Sequence, residues 1–145
     1  MGARVLAVAS GDDGIELCNK IGADTAIDGY KDDIIAAAHN FAPEGLDAAL
    51  LTSGGNLADK VLTTLHEQGR AAYPNGVEPE PKAPPGLTIQ SYDGRPDPQA
   101  FEKLNRLIEA GPFIVHIAGT FPLEKAADAQ RSLAEHHLGK IALRP

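Results

Sequence analysis

Apolar segments of strand length alternate with helical stretches along this chain, and that rhythm restricts the fold more than any other feature. The strand candidates are Arg4–Ser10, Asp24–Asp28, Leu46–Thr52, Arg70–Pro74, Leu87–Asp93, Ile114–Thr120 and Lys140–Arg144. Between them Leu57, Val61, Leu62 and Leu65 recur at helical spacing, as do Phe101, Leu104, Leu107 and Ile108. The first of these helices is expected to stop at Gly69 and the second at Gly111, each a glycine just past a helix end. Strands alternating with helices at this spacing pair in parallel through crossover helices, so the fold class is α/β. VLAVA and LDAALL are apolar throughout, as strands covered on both faces should be.

A chain of 145 residues holds one domain with a genuine core and is too short for two ordinary ones. The formal net charge of −7 argues against nucleic-acid or anionic-membrane partners, which need concentrated positive charge. A single cysteine, Cys18, excludes a disulfide framework and a multi-cysteine zinc site. It shares a helix with Leu17 and Ile21 and reads as a small buried hydrophobe. No signal-like apolar run occurs and no segment reaches membrane-spanning length, so a cytoplasmic protein is expected.

Two features depart from the rhythm. No G-x-G-x-x-G turn precedes Arg4–Ser10, although such a turn is where α/β folds hold a pyrophosphate on backbone N–H groups. The stretch Asn75–Gly86, NGVEPEPKAPPG, contains four prolines and can be neither helix nor central strand. It is either a surface connector or a stiff loop beside a ligand, because α/β ligands sit outside the carboxyl ends of strands.

The segments GARVLAVASGDDGIELCNKIGADTAIDGYKDDI, LDAALLTSGG, GRAAYPNG and FPLEKAADAQRSLAEHHLGKIALRP, in that order, resemble the medium-chain dehydrogenase/reductase superfamily. The nearest branch is the zinc-independent quinone oxidoreductases and related NADP-dependent reductases. The resemblance implies a Rossmann-like parallel sheet with helices on both faces, entered at its second strand. The family's GroES-like catalytic domain and its first strand, helix and Gly-rich loop have no counterpart here. Residues 1–145 then form a partial dinucleotide-binding domain, whose segment 112–145 packs toward the catalytic domain in the family.

Ser10 ends the first strand, where an acidic residue would bind the ribose 2′-OH of NAD and repel a 2′-phosphate. The expected cofactor is therefore NADP rather than NAD. Where the family often places a lysine this chain has Gly14, and Asp12 and Asp13 disfavour a phosphate. Positive charge can come instead from Lys31, beside Tyr30, in a loop that approaches the adenosine end in the family. The same two residues also suit an ordinary helix N-terminal turn. Thr52, Ser53 and Gly54 close the third strand, which in the family passes under the nicotinamide. Small residues there let a ring approach the backbone, and the same residues can simply cap a helix. Tyr73, Asn75 and Gly76 match the family's nicotinamide-side loop, although Asn75-Gly76 is also a plain turn signal.

Other candidates carry less. Adjacent His136 and His137 point about 100° apart on a helix and cannot chelate one metal together, so a solvated helix end is expected. His116 alternates with apolar neighbours on a strand, and His39 and His66 stand alone. No metal site and no catalytic proton donor or nucleophile is expected. The resemblance implies direct hydride transfer to a quinone or enone, with most substrate contacts made by the absent domain. The segment alone is then inactive and binds NADP weakly, without zinc. A stand-alone α/β module that binds a nucleotide or partner without catalysis is the alternative. A homodimer is expected through Leu87–Asp93, whose alternation suits an edge strand. Finally, a complete fold of this kind has its first strand at the sheet centre. Its absence is expected to close Arg4–Ser10 onto Leu46–Thr52, giving the order 2-1-3-4-5, unless another strand fills the slot.

Overall fold

The computed structural model describes residues 2–111 and 113–145. The chain divides into two compact units, Met1–Pro96 and Asp97–Pro145.

In the first unit, β1 (Leu6–Ala9), α1 (Gly11–Lys20) and β2 (Thr25–Asp28) form a parallel crossover in register Leu6↔Thr25 to Ala9↔Asp28. The helix α2 (Ile34–Phe41) follows, with Asp33 as N-cap accepting from the Ile35 and Ala36 N–H groups. It leads to β3 (Leu46–Leu50), α3 (Asn56–Leu62), β4 (Leu65–Pro74) and β5 (Thr88–Tyr92). These three strands form a parallel sheet in the order β3-β4-β5. Its core gathers Leu51, Ala58, Leu62, Ala71 and Tyr73, with Val61, Val77, Leu87 and Ile89 packed against them.

Leu65 and Gly69 correct the reading of the third helix. Leu65 keeps helical spacing with Leu57 and Val61, yet α3 ends at Leu62 and Leu65 pairs with Leu46 in the sheet. Gly69 lies inside β4 at a register shift, where the strand doubles back on itself. A Cβ there would sit 2.8 Å from Leu65 Cβ and 2.9 Å from the His66 carbonyl, so glycine serves a bulge and not a helix end.

The expected closure of β1 onto β3 does not occur. Among the described residues β1 is hydrogen-bonded to β2 and β3 to β4, in two separate sheets. The spatial order 2-1-3-4-5 holds only as a sequence of neighbours interrupted by a groove of about 1090 Å³. Helices α2 and α3 floor it with Ile34, Ala38 and Phe41 from one and Leu57, Ala58 and Val61 from the other. Because α2 packs on both β1 and β2 and also against α3, it acts as a spacer that holds the flanks apart. The Arg4 guanidinium lies 4.3 Å from the Phe41 ring centroid and donates to the Phe41 carbonyl, which fixes one end of that spacing. Val8 and Leu50 remain 43% and 65% exposed, so the facing edges are open to water and escape the penalty of burial.

In the second unit α4 (Pro98–Ala110) begins with proline in its first turn, after the N-cap Asp97, whose carboxylate accepts from the Gln99 N–H. Gly111 follows it in an extended conformation, φ −154°, and not in the left-handed one expected of a terminating glycine. Strand β6 (Ile117–Pro122) starts three residues later than the sequence pattern suggests, which leaves His116 just before it. A 3-10 turn, Leu123–Lys125, and α5 (Ala126–Ser132) lead to β7 (Lys140–Arg144), which pairs in parallel with β6. His136 and His137 lie beyond α5 in the irregular turn before β7, not on a helix.

Candidate functional site: the carboxyl ends of the strands in the first unit

The register Ala9↔Asp28 brings the end of β1 beside the end of β2, and this pairing assembles the adenosine-side candidates. Ser10 is the N-cap of α1 in extended conformation, and its side chain makes no capping bond to the helix. Gly11 follows with φ +76°, a left-handed turn that carries the chain away from the strand. Lys31 reaches this turn from the other strand: its Nζ lies 3.1 Å from Asp12 and 3.5 Å from Asp28. Those contacts, first the hydrogen bond to Asp12 and then the two negative charges, raise the Lys31 pKa above its ordinary value. The ammonium is therefore fully charged, and it remains largely exposed. Tyr30 extends beside it with 81% of its surface in solvent.

The residue that organises this corner was not among the sequence candidates. Asp28, 3% exposed, accepts from the Tyr30 N–H at 2.9 Å and from the Gly11 N–H at 3.2 Å, tying the two loops together. Its own N–H donates to Asp32. The Tyr30 N–H bond, followed by the Gly11 bond and Lys31, lowers the Asp28 pKa against the opposing effect of burial. The available signal was a carboxylate closing an apolar strand immediately before glycine, in AIDG.

Thr52 and Ser53 stand across the groove from Ser10, Gly29 and Tyr30, all five lining the same cavity. Gly55, φ +84°, then starts α3, so neither Thr52 nor Ser53 caps that helix. Gly54 faces elsewhere. A Cβ on Gly54 would lie 1.8 Å from the Pro79 carbonyl oxygen, so the proline-rich segment packs directly on its backbone. Two further ties hold that segment: the Tyr73 hydroxyl donates to the Glu80 carboxylate, and the Lys82 N–H donates to Asp59 at 2.9 Å. Residues 77–86 thus form a strap across the ends of β3 and β4, and they are not a free connector. Tyr73 is buried in the core and committed to Glu80, whose hydrogen bond is the main cause of its raised pKa. Asn75 and Gly76 form the exposed turn after β4, with the Asn75 N–H bonded to the Tyr92 carbonyl. The structure therefore gathers Ser10, Tyr30, Lys31, Thr52 and Ser53 around one opening and sets Gly54, Tyr73, Asn75 and Gly76 apart in the strap and its anchors.

His66 does not stand alone: its Nδ1 accepts from the Gln68 N–H, which leaves Nε2 to donate to Asp47 at 3.1 Å. Cys18 is half-buried on α1.

A family model described as "Zinc-binding dehydrogenase" matches residues 21–143. The chain belongs to this zinc-binding dehydrogenase family. Among the described residues of this zinc-binding dehydrogenase family member, no three His, Cys, Asp or Glu side chains come together as a metal site. The donor set that the family's description implies is not among them. The chain is 29% identical to the Arabidopsis thaliana NADPH-dependent alkenal/one oxidoreductase, a chloroplastic protein, over 99% of its own length and 34% of the plant protein. A solved NAD-dependent alcohol dehydrogenase is 25% identical, with a TM-score of 0.83 over 99% of this chain and 44% of the other. A mycobacterial protein solved in complex with NADPH superposes with a TM-score of 0.72 at 23% identity, covering 99% of this chain and 49% of that one. These likenesses show the Rossmann-like α/β fold, and the chain spans between a third and a half of the proteins it matches. No described helix is long and apolar enough to cross a membrane.

Proposed function

We propose that this chain is the cofactor-binding portion of an NADP(H)-dependent oxidoreductase that reduces a quinone or an enone by hydride transfer. The observation that carries the reading is the corner at the end of β1, where Ser10 replaces a selecting carboxylate and Lys31 stands across the turn. A 2′-phosphate entering there would take the Lys31 ammonium from Asp12, while Tyr30 would cover the adenosine and Asp28 would hold both loops in place. Thr52 and Ser53 would border the nicotinamide side of the groove. The cofactor supplies the hydride when bound, and this chain's residues orient it. No step here uses zinc. Contacts to the small-molecule substrate would come from outside residues 1–145. The activity requires no nucleic acid or membrane, and we place the protein in the cytoplasm.

Because no Gly-rich turn holds the pyrophosphate, this chain alone should bind weakly and catalyse nothing. Calorimetry with NADPH and NADH on the 145-residue chain tests this. The expected result is a dissociation constant weaker than micromolar and tighter for NADPH. Sub-micromolar binding, or a preference for NADH, would contradict it.

We also propose a homodimer through Leu87–Asp93. β5 is the last strand of its sheet, bonded to β4 on one side, and an edge of this length is a template for pairing. Ile89→Pro removes one N–H from the ladder and should shift the protein toward monomer in sedimentation equilibrium. An unchanged association constant, or a monomeric parent chain, would count against the dimer.

A further inference from the structure

The turn that leads from β4 into the strap is built for an intramolecular reaction. The Val77 N–H closes it on the Pro74 carbonyl at 3.4 Å, with Asn75 and Gly76 as its two central residues, both exposed. Gly76 has φ +87°, and a Cβ built there would meet nothing within 4 Å. The Asn75 N–H is bonded to Tyr92, but among the described residues nothing bonds the Gly76 N–H or the Asn75 side-chain amide. A nitrogen nucleophile, an electrophilic amide carbon and open space around both therefore stand next to each other. Asp28–Gly29 shows the opposite arrangement. There the Gly29 N–H is bonded to the Ala9 carbonyl at 2.9 Å, and the Asp28 carboxylate is held by the Tyr30 and Gly11 N–H groups. Asp93–Gly94 is exposed, but its side chain is a carboxylate, whose negative charge repels an attacking nitrogen. Of the five asparagines, Asn19, Asn40 and Asn105 lie inside helices, where the next N–H belongs to the helical ladder. Asn56 opens α3 and is followed by the bulky Leu57.

We propose that Asn75 is a site of spontaneous modification to isoaspartate, and that the modification loosens the strap. The Gly76 nitrogen, giving its proton to solvent base, bonds to Asn75 Cγ; the Cγ–Nδ2 bond breaks and ammonia leaves, forming a cyclic imide. Water then opens the imide without any change in oxidation state. Cleavage between Cγ and the Gly76 nitrogen yields aspartate. Cleavage between that nitrogen and the Asn75 main-chain carbonyl carbon yields isoaspartate, with the main chain now running through Cβ and Cγ. Isoaspartate lengthens the main chain by one carbon, about 1.5 Å, immediately before the strap. The strap is held by close fits on either side of that point: Tyr73 to Glu80, Pro79 on Gly54, and the Lys82 N–H to Asp59. These ties cannot all keep their geometry when the chain entering them is longer. This inference does not depend on the cofactor reading.

The test ages the full chain in mildly alkaline buffer beside the free peptide AAYPNGVEPE. Ammonia loss is followed by mass spectrometry of digests, and isoaspartate by enzymatic methylation of its α-carboxylate. Asn75 in the folded chain should react within about threefold of the peptide rate, and the other four asparagines should react at least tenfold more slowly. Asn75→Gln should abolish the methylation signal, because attack would then require a six-membered ring. The isoaspartyl chain is separated from the unaged chain by anion exchange, since it carries one more negative charge. Hydrogen exchange at the Lys82 amide should be about tenfold faster in it, while Asn75→Asp, with the same charge on an ordinary backbone, should leave that exchange unchanged. Reaction in the folded chain tenfold or more below the peptide rate would overturn the proposal, as would methylation spread evenly over the asparagines. Native exchange at Lys82 in the isoaspartyl chain, or equal loosening by Asn75→Asp, would overturn it as well.

Discussion

Leu62→Ala is expected to cost about 2–5 kcal/mol of folding stability. Leu62 is 1% exposed and stands at the end of α3, where it packs into the cluster formed by Leu51, Ala58, Ala71 and Tyr73. Two of these neighbours are alanines, whose side chains have no rotamers with which to fill a vacated space. Tyr73 cannot swing inward either, because its hydroxyl is held by Glu80. The cavity should therefore stay open, which places the loss in the upper part of the range. Against a typical total of about 5–15 kcal/mol for a domain, such a loss leaves little reserve. Urea unfolding should show a lower midpoint with unchanged slope, whereas Leu62→Met should lose less than about 1.5 kcal/mol. A loss below about 1 kcal/mol for the alanine variant would mean that the cluster is not the core of the first unit.

The second large effect is expected at Gly54. Adding one methyl group there puts a carbon 1.8 Å from the Pro79 carbonyl oxygen, closer than any real contact, so the strap must lift. Lifting it separates Glu80 from Tyr73 and Lys82 from Asp59. Gly54→Ala should thus destabilise the protein by about 1–3 kcal/mol, as overpacking does. It should also change how Tyr73 titrates. The native Tyr73 pKa is raised above 10.0, chiefly by its bond to Glu80, so folding favours the protonated phenol. That contribution to stability is complete below the unfolded tyrosine pKa and disappears as pH rises through the elevated native value. In the variant, tyrosinate absorbance should develop at lower pH for one of the three tyrosines. An unaltered titration with unaltered stability would show that the strap does not depend on the bare backbone at Gly54.

Much of the fold was legible because apolar runs bounded by Gly and Asp have little choice of conformation. β7 begins and ends at the expected residues, and β2 begins one residue later than expected. The third helix was misread for a definite reason. Leu57, Val61 and Leu65 satisfy helical spacing, but pairing of Leu65 with Leu46 converts the last of them into strand. The groove is not legible in the sequence because the separation of β1 and β3 depends on the packing of α2 against β1, β2 and α3, which leaves both edges in water. In the site, Ser10 could be found because it ends a recognisable strand. The contact of Lys31 with Asp12 spans nineteen positions and depends on the β1–β2 register. Asp28 was overlooked since a carboxylate before glycine also suits any turn. The strap stayed ambiguous because four prolines define stiffness but not destination, and what decides its place is one bare carbon at Gly54.

The most direct test of the cofactor reading is an amide-resolved NMR titration with adenosine nucleotides. Adenosine carrying both a 5′-phosphate and a 2′-phosphate is compared with the nucleotide lacking the 2′-phosphate. The doubly phosphorylated form should bind more tightly and shift Ser10, Gly11, Tyr30 and Lys31, and Lys31→Ala should remove the difference. Equal binding of the two nucleotides, or shifts confined to residues away from the ends of β1 and β2, would contradict it.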